Sequence, residues 1–376
     1  MRNTFTRSPW WLMPLFFLGF SRALLNIPAL IGANIIPPDI GIASGSLCPA
    51  PRSLPCLWAS WDGDYYLRIA LNGYSYNGAE LAFFPLYPLL TRLIAFGNSA
   101  LLTWSGLLIS NSAFVLAALI LWRQVSKDFN ESIAWGTLIS YVVFPTSLFF
   151  SAIYSEGLFL LFSVLVYWFS ARRSYVFAGV FVSLASLTRA TGLLLAVIPI
   201  VEIFFDKGTP RLLRTTIVSL CSIIGVALYG IYLWIAQGSP MAFAQPQGEY
   251  WKRSLALPWQ TLWDGFSVFV SGSGSGRSDF LVTLAFLGLA VLAFFFLRKS
   301  LIAYFIVAII ALLVFHGPPN DPLYSMDRFV LGIFPGFIAL ATLLERARQL
   351  KWAVWATLAT RLIFSISSFT SGRWVA

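Results

Sequence analysis

The chain has 376 residues, of which 58% are hydrophobic and 11% are charged, and its formal net charge is +10. Because about 25% of the residues of a soluble domain are charged, this composition excludes a water-soluble globule. Membrane helices of about 20 apolar residues each would occupy most of the chain, so residues 1–376 are interpreted as one integral membrane domain. We assign the excess of Lys and Arg to cytoplasmic loops, where positive charge sets the orientation, and not to nucleic-acid binding.

Apolar runs interrupted by charged residues, Gly or Pro predict about eleven transmembrane helices. They are placed at residues 10–34, 101–122, 132–149, 152–170, 174–190, 191–206, 212–236, 279–297, 300–315, 329–345 and 352–370. The first run follows Arg2 and Arg7, as in a signal peptide, but its length and Arg22 favour a spanning helix. Segment 81–97 contains two prolines and is interpreted as a membrane-surface or re-entrant piece.

The distribution of Lys and Arg predicts the orientation in the membrane. With the N-terminus in the cytoplasm, every predicted cytoplasmic segment contains at least two of these residues. Two long loops, 37–100 and 237–278, then lie outside the cytoplasm. In the first of them, Cys48 and Cys56 can form a disulfide bond in an oxidising compartment, although the short proline-rich loop leaves the geometry open.

The first long loop contains "SWDGDYYLRIALNGY", which places two carboxylates, Asp62 and Asp64, among aromatic residues. Its apolar residues have helical spacing, which predicts a helix on the membrane surface with both carboxylates near its positive N-terminal end. Such a pair can be a catalytic base, a cation site or solvated surface. The neighbouring rings of Trp61 and Tyr65 suit the headgroup region and the faces of sugar rings.

The same loop, continued to "WDGDYYLRIALNGYSYNGAELAFFPLYPLL", resembles the first luminal loop of the PIG-V family, the second mannosyltransferase of GPI-anchor synthesis, and its bacterial relatives. The resemblance continues in "FPTSLFFSAIYSEGLFLLFS", "ASLTRATGLLL" and "SMDRFVLGIFP". It covers most of the chain up to about residue 200 and is patchy beyond. Asp62 occupies the Trp-Asp position of the family, whereas Asp64 matches no fixed position. Ala190 and Thr191 depart from the Ser-Asn of the family.

This resemblance implies an all-α polytopic membrane protein of the GT-C glycosyltransferase architecture, with surface helices in its extracytoplasmic loops. It also implies an active site at the outer face, a polyprenyl-phosphate-linked sugar donor (mannose in the eukaryotic relatives) and inversion at the anomeric carbon. An inverting transfer needs one base for the proton of the acceptor hydroxyl, and we expect Asp62 to be that base. Asp64 is a further candidate for catalysis or substrate binding.

Positive charge is needed to stabilise the phosphate leaving group, and the planar fork of Arg matches phosphate oxygens. Arg189 and Arg328 are therefore the expected donor-phosphate ligands, although Arg189 can instead extend towards the outer headgroups. Glu156 is predicted at a similar depth to Arg189, so it either pairs with Arg189 or contacts substrate. Gln247 and Trp251, in the second long loop, are expected with Trp61 and Tyr65 to bind the acceptor or the sugar; an interfacial helix is the alternative for that segment.

His316, the only His in the chain, can bind phosphate, shuttle a proton or be incidental. A single His argues against a His-based metal site. Asp62 and Asp64 can bind a hard cation through oxygen, but the resemblance requires none, so no metal and no cofactor is predicted.

The predicted function is the inverting transfer of a sugar, taken as mannose, from a polyprenyl-phosphate donor to an extracytoplasmic hydroxyl of a membrane lipid or glycolipid. The expected location is a bacterial plasma membrane, with the bilayer and the two lipid substrates as partners. A multi-pass transporter or lipid flippase is the alternative, but transporters place charges near the midplane and often have two related halves, whereas no repeat is visible here. A GT-C enzyme that uses another polyprenyl-phosphate sugar is a further alternative.

Overall fold

The computed structural model describes residues 9–36, 53–75, 77–206, 211–272 and 276–375. The α-helices are α1 Leu12–Leu24, α2 Asn26–Ile35, α3 Leu54–Leu57, α4 Asp62–Asn72, α5 Leu86–Ile94, α6 Leu102–Asp128, α7 Glu131–Val143, α8 Glu156–Ser170, α9 Tyr175–Ser186, α10 Val197–Phe205, α11 Arg211–Gln237, α12 Gln245–Glu249, α13 Pro258–Ser271, α14 Gly276–Ala293, α15 Lys299–Val314, α16 Met326–Phe329, α17 Phe334–Arg346 and α18 Arg348–Thr370. Short 3-10 helices cover Ala79–Ala82, Ser99–Leu101, Ser147–Phe150, Ala190–Ala196 and Val330–Gly332. Strand β1, Ser254–Leu255, pairs antiparallel with β2, Phe315–His316.

Several helices of the described chain are long and apolar enough to cross a membrane. Five pass this test, namely Leu12–Ile35, Ser99–Asp128, Arg211–Gln237, Gly276–Ala293 and Arg348–Thr370. A sixth is obtained if Met326–Gly332 and Phe334–Arg346, bent by 91° from each other, are one broken span. The all-α membrane fold is thus confirmed, but the predicted number of about eleven spans is not, because four further apolar helices have only 10–17 residues.

The helix observed in the predicted span 132–149 is shorter than predicted. Helix α7 ends at Val143 because Pro145 follows Phe144, whose backbone is extended, and a residue before proline avoids the helical region. The chain continues as the buried 3-10 helix Ser147–Phe150. Arg22, buried in the first span, donates to the carbonyl oxygen of Ser147 at 3.1 Å. The arginine in the apolar N-terminal run therefore stabilises a backbone carbonyl beyond the end of α7.

The packing of the helices brings Arg189, after α9, into contact with Ser155 and Glu156 at the start of α8. Helix α8 packs between α6 and α9, α9 packs on α11, α7 packs on α17 and α2 packs on α18. The predicted surface helix is α4, with Asp62 and Asp64 in its first turn. Segment 81–97 contains α5. Cys56 is disulfide-bonded; its predicted partner Cys48 lies outside the described residues.

Candidate active site

The N-terminus of α4 is held in an unusual backbone conformation. Trp61, directly before Asp62, has φ 59°, a region that non-glycine residues occupy only when their surroundings impose it. The hydroxyl of Tyr154 supplies that restraint. It donates to the carbonyl oxygen of Ser60 at 3.2 Å and accepts from the backbone N–H of Asp62 at 3.1 Å. The buried segment before α8 thereby sets the position of the Asp62 carboxylate.

Four charged side chains from distant parts of the sequence form a continuous chain of ion pairs. Glu156, the first residue of α8, is 3% exposed, and its Oε1 accepts from both Arg189 and Arg328. Arg328 also donates through Nη1 to Asp62 Oδ2 at 2.6 Å. The charges alternate from Arg189 to Glu156 to Arg328 to Asp62, as buried charges must to remain ionised at a tolerable desolvation cost. Of the two alternatives for Glu156, the structure shows the ion pair with Arg189.

Three of these groups, Asp62, Arg189 and Arg328, line a cavity of about 1130 Å³. Of the predicted site residues, the cavity wall contains Trp61, Asp62, Asp64, Tyr65, Arg189, Gln247, Trp251 and Arg328. The ring of Tyr65 stacks on Phe83 at 4.9 Å between centroids, and Trp251 is 6.4 Å from Tyr65. Burial and the Asp62 carboxylate raise the pKa of the Tyr65 hydroxyl, which therefore remains protonated at neutral pH and can donate to a sugar oxygen. Charge and aromatic surface thus meet on one wall.

The other three candidate residues, Asp64, Glu156 and His316, differ in their position relative to the cavity. Asp64 faces the cavity and pairs with Arg68 at 2.7 Å within the same helix. Glu156 lies behind the arginines and does not line the cavity. His316, on β2, lines a separate pocket of about 280 Å³, where its Nε2 is 3.0 Å from Asp264 Oδ2. Within the described residues no group of three His, Cys, Asp or Glu side chains can hold a metal ion, and the absence of a metal stays a prediction.

The structure adds residues that sequence reasoning missed. Besides Tyr154, these are Ser155, whose Oγ is 2.8 Å from Tyr66 Oη and accepts from Arg189 Nε at 3.3 Å, and Arg253, which lines the cavity. The polar sequence "YSE" within an apolar run was the available signal for Tyr154 and Ser155. Arg253 follows Trp251 in the segment of mixed aromatic and basic residues, where nothing distinguished it from Lys252.

Placement of Arg189 depends on a glycine. Arg189 has an extended backbone, and the 3-10 helix Ala190–Ala196 follows it. A Cβ atom on Gly192 would lie 2.3 Å from the carbonyl carbon of Ala185, which is backbone and cannot turn aside. We expect Gly192→Ala to destabilise the protein by about 1–3 kcal/mol and to reduce activity by displacing Arg189. The thermal unfolding midpoint of the purified protein would show this.

The matched control is Gly288→Ala in α14, where an added Cβ atom meets nothing within 4 Å. Alanine is the better helix former, so this variant should be at least as stable as the wild type. Equal unfolding midpoints for the two variants would contradict the proposed role of Gly192.

Part of the chain is similar in sequence to known proteins. Residues 46–221 match the family model described as mannosyltransferase (PIG-V). Among curated proteins, a GPI mannosyltransferase 2 of Cryptococcus neoformans is 30% identical over 181 residues, covering 45% of this chain and 41% of the relative. That of Yarrowia lipolytica is 26% identical over 220 residues, covering 58% and 59%. The match thus spans less than two thirds of the length of either relative.

A solved structure extends the likeness to the fold. The crystal structure of apo ArnT from Cupriavidus metallidurans superposes with a TM-score of 0.54, covering 95% of this chain and 76% of that chain at 10% sequence identity. At this identity the likeness shows the fold alone. Asp62, Glu156 and Arg189 all lie within the segment that matches the family. Residues 46–221 are therefore similar to the mannosyltransferase (PIG-V) family model, and the fold of the chain is similar to that of ArnT.

Proposed function

We propose that this protein transfers a mannosyl residue from a polyprenyl-phosphate carrier to a hydroxyl group of a membrane glycolipid, with inversion, at the extracytoplasmic face. One observation carries the proposal: the carboxylate of Asp62 and the guanidinium groups of Arg189 and Arg328 lie together on the wall of one large cavity. A carboxylate supplies the base, and arginines stabilise a phosphate leaving group. The match to a mannosyltransferase family supports the choice of sugar.

The reaction assigns one task to each group. The acceptor oxygen attacks the anomeric carbon, and Asp62 takes the hydroxyl proton. The bond between that carbon and the phosphate oxygen breaks, and its electron pair stays on the phosphate. Arg328 neutralises this developing charge, because a guanidinium fork matches phosphate oxygens.

The ion pair between Arg328 and Asp62 bears on the timing of this step. Oδ2 of Asp62 accepts a hydrogen bond from Arg328 at 2.6 Å, so this oxygen is occupied and less available to the proton of the acceptor hydroxyl. A donor phosphate would compete with Asp62 for Arg328 and so free the carboxylate to accept a proton. We infer that the donor binds before the acceptor is deprotonated.

Donor profiling tests the proposal. The purified protein in lipid nanodiscs would be incubated with polyprenyl-phosphate mannose, glucose or arabinose and with a membrane lipid extract as acceptor. We expect transfer from the mannosyl donor, detected as a new glycolipid together with released polyprenyl phosphate. Movement of the intact donor across the bilayer without transfer would instead indicate a flippase, and transfer from a nucleotide sugar alone would contradict the donor class.

A further inference from the structure

Arg253 is a third guanidinium group at the candidate active site. It lies between β1 and Trp251 in the second long loop and lines the cavity. Its Nη1 donates to Gln247 Oε1 at 3.0 Å, and its guanidinium carbon is 4.9 Å from the ring centroid of Phe329 and 5.6 Å from that of Tyr324. An arginine has five N–H donors, so most of the hydrogen-bonding capacity of Arg253 is not used by Gln247.

Three arginines surround one aromatic ring. The guanidinium carbons of Arg189, Arg253 and Arg328 lie 5.6, 4.9 and 5.9 Å from the ring centroid of Phe329. Arg189 and Arg328 form ion pairs with Glu156 and Asp62. Arg253 forms no ion pair with any described residue. The cluster therefore has one positive charge in excess, at the cavity wall.

The excess charge is energetically unfavourable. Burial and the neighbouring Arg328 lower the pKa of Arg253 to about 10, so the side chain remains charged at neutral pH but its charged form is destabilised. A bound anion would remove this penalty, since guanidinium–phosphate pairs are among the strong hydrogen bonds of proteins. One negative charge suffices to neutralise the cluster.

We propose that Arg253 binds the phosphate of the lipid-linked sugar donor. The inference rests on the proposed function and deepens it. Arg253 binds the phosphate through N–H groups that form no ion pair with a described carboxylate. Arg328 releases Asp62 and binds the same phosphate instead.

Binding measurements without acceptor test this assignment. Two probes would be compared in nanodiscs: polyprenyl-phosphate mannose, and polyprenyl mannoside, which lacks the phosphate. We expect wild-type protein to bind the phosphate-containing probe more tightly, and Arg253→Gln to lose about tenfold or more of that preference, because hydrogen bonds to charged groups are its source. Arg253→Lys should retain part of the preference, since it keeps the charge and loses the fork.

The control is Lys252→Gln, which removes a positive charge from the adjacent, exposed residue outside the cavity wall. It should bind both probes like the wild type. A wild-type preference that persists in Arg253→Gln overturns the inference and leaves the proposed function intact. A wild-type protein with no preference for the phosphate overturns both. If Arg253→Gln fails to fold, Arg253→Lys decides, and an unchanged preference there overturns the inference.

Discussion

Asp62→Asn is expected to lower kcat of sugar transfer by about 10²–10⁴-fold, the usual contribution of a general base. The amide keeps the size of the side chain and can still accept from Arg328, but it cannot take the proton of the acceptor hydroxyl. KM for the donor should change far less, because the arginines remain. The measurement is the initial rate of glycolipid formation from polyprenyl-phosphate mannose.

Asp64→Asn is the matched comparison, since it makes the same chemical change two residues away on the same helix. Asp64 pairs with Arg68, their side chains being 10% and 43% exposed, and it takes no part in the chain of ion pairs that links Asp62 to Arg189. We expect a loss of activity much smaller than for Asp62→Asn. Wild-type turnover in a folded Asp62→Asn protein would show that another group is the base.

Glu156→Gln is expected to have the second-largest effect. It leaves Arg189 and Arg328 without the buried carboxylate that both contact, and breaking a buried ion pair destabilises a protein by about 3–5 kcal/mol. The thermal unfolding midpoint should fall strongly, and transfer should fall with it because Arg328 loses its position. The stability of the variant in detergent and its transfer rate are both measured.

The double variant Glu156→Gln/Arg189→Gln distinguishes the effect of an unbalanced buried charge on stability from the effect of losing Arg189 on transfer. It removes one charge of each sign, so Arg328 keeps Asp62 as its partner. We expect the double variant to be more stable than Glu156→Gln alone, while transfer stays low because Arg189 is absent. If the loss of stability of the double variant equals the sum of the losses of Glu156→Gln and Arg189→Gln, the two residues are not coupled, which would contradict the geometry.

Local patterns in the sequence were sufficient to predict a helical membrane protein and the helix α4. Composition and apolar runs indicated a helical membrane protein because each span must bury its own backbone hydrogen bonds in lipid. The spacing of apolar residues predicted the helix that begins at Asp62, and the likeness to a family selected Asp62 over Asp64. The predicted count of about eleven spans is not confirmed, because apolar runs continue through breaks such as Pro145, where helix α7 has already ended.

Which charged groups meet depends on how the helices pack. Asp62 and Arg328 are 266 positions apart, and His316 and Arg253 lie close to each other in the strand pairing yet face different cavities. Periodicity and hydropathy report on neighbours within a few turns, whereas ion pairs between α4, α8 and α16 depend on how the helices pack. The sequence alone therefore determined a helical membrane protein with a candidate base, and the packing decided that Glu156 contacts two arginines and that Arg253 lines the cavity without an ion pair to any described residue.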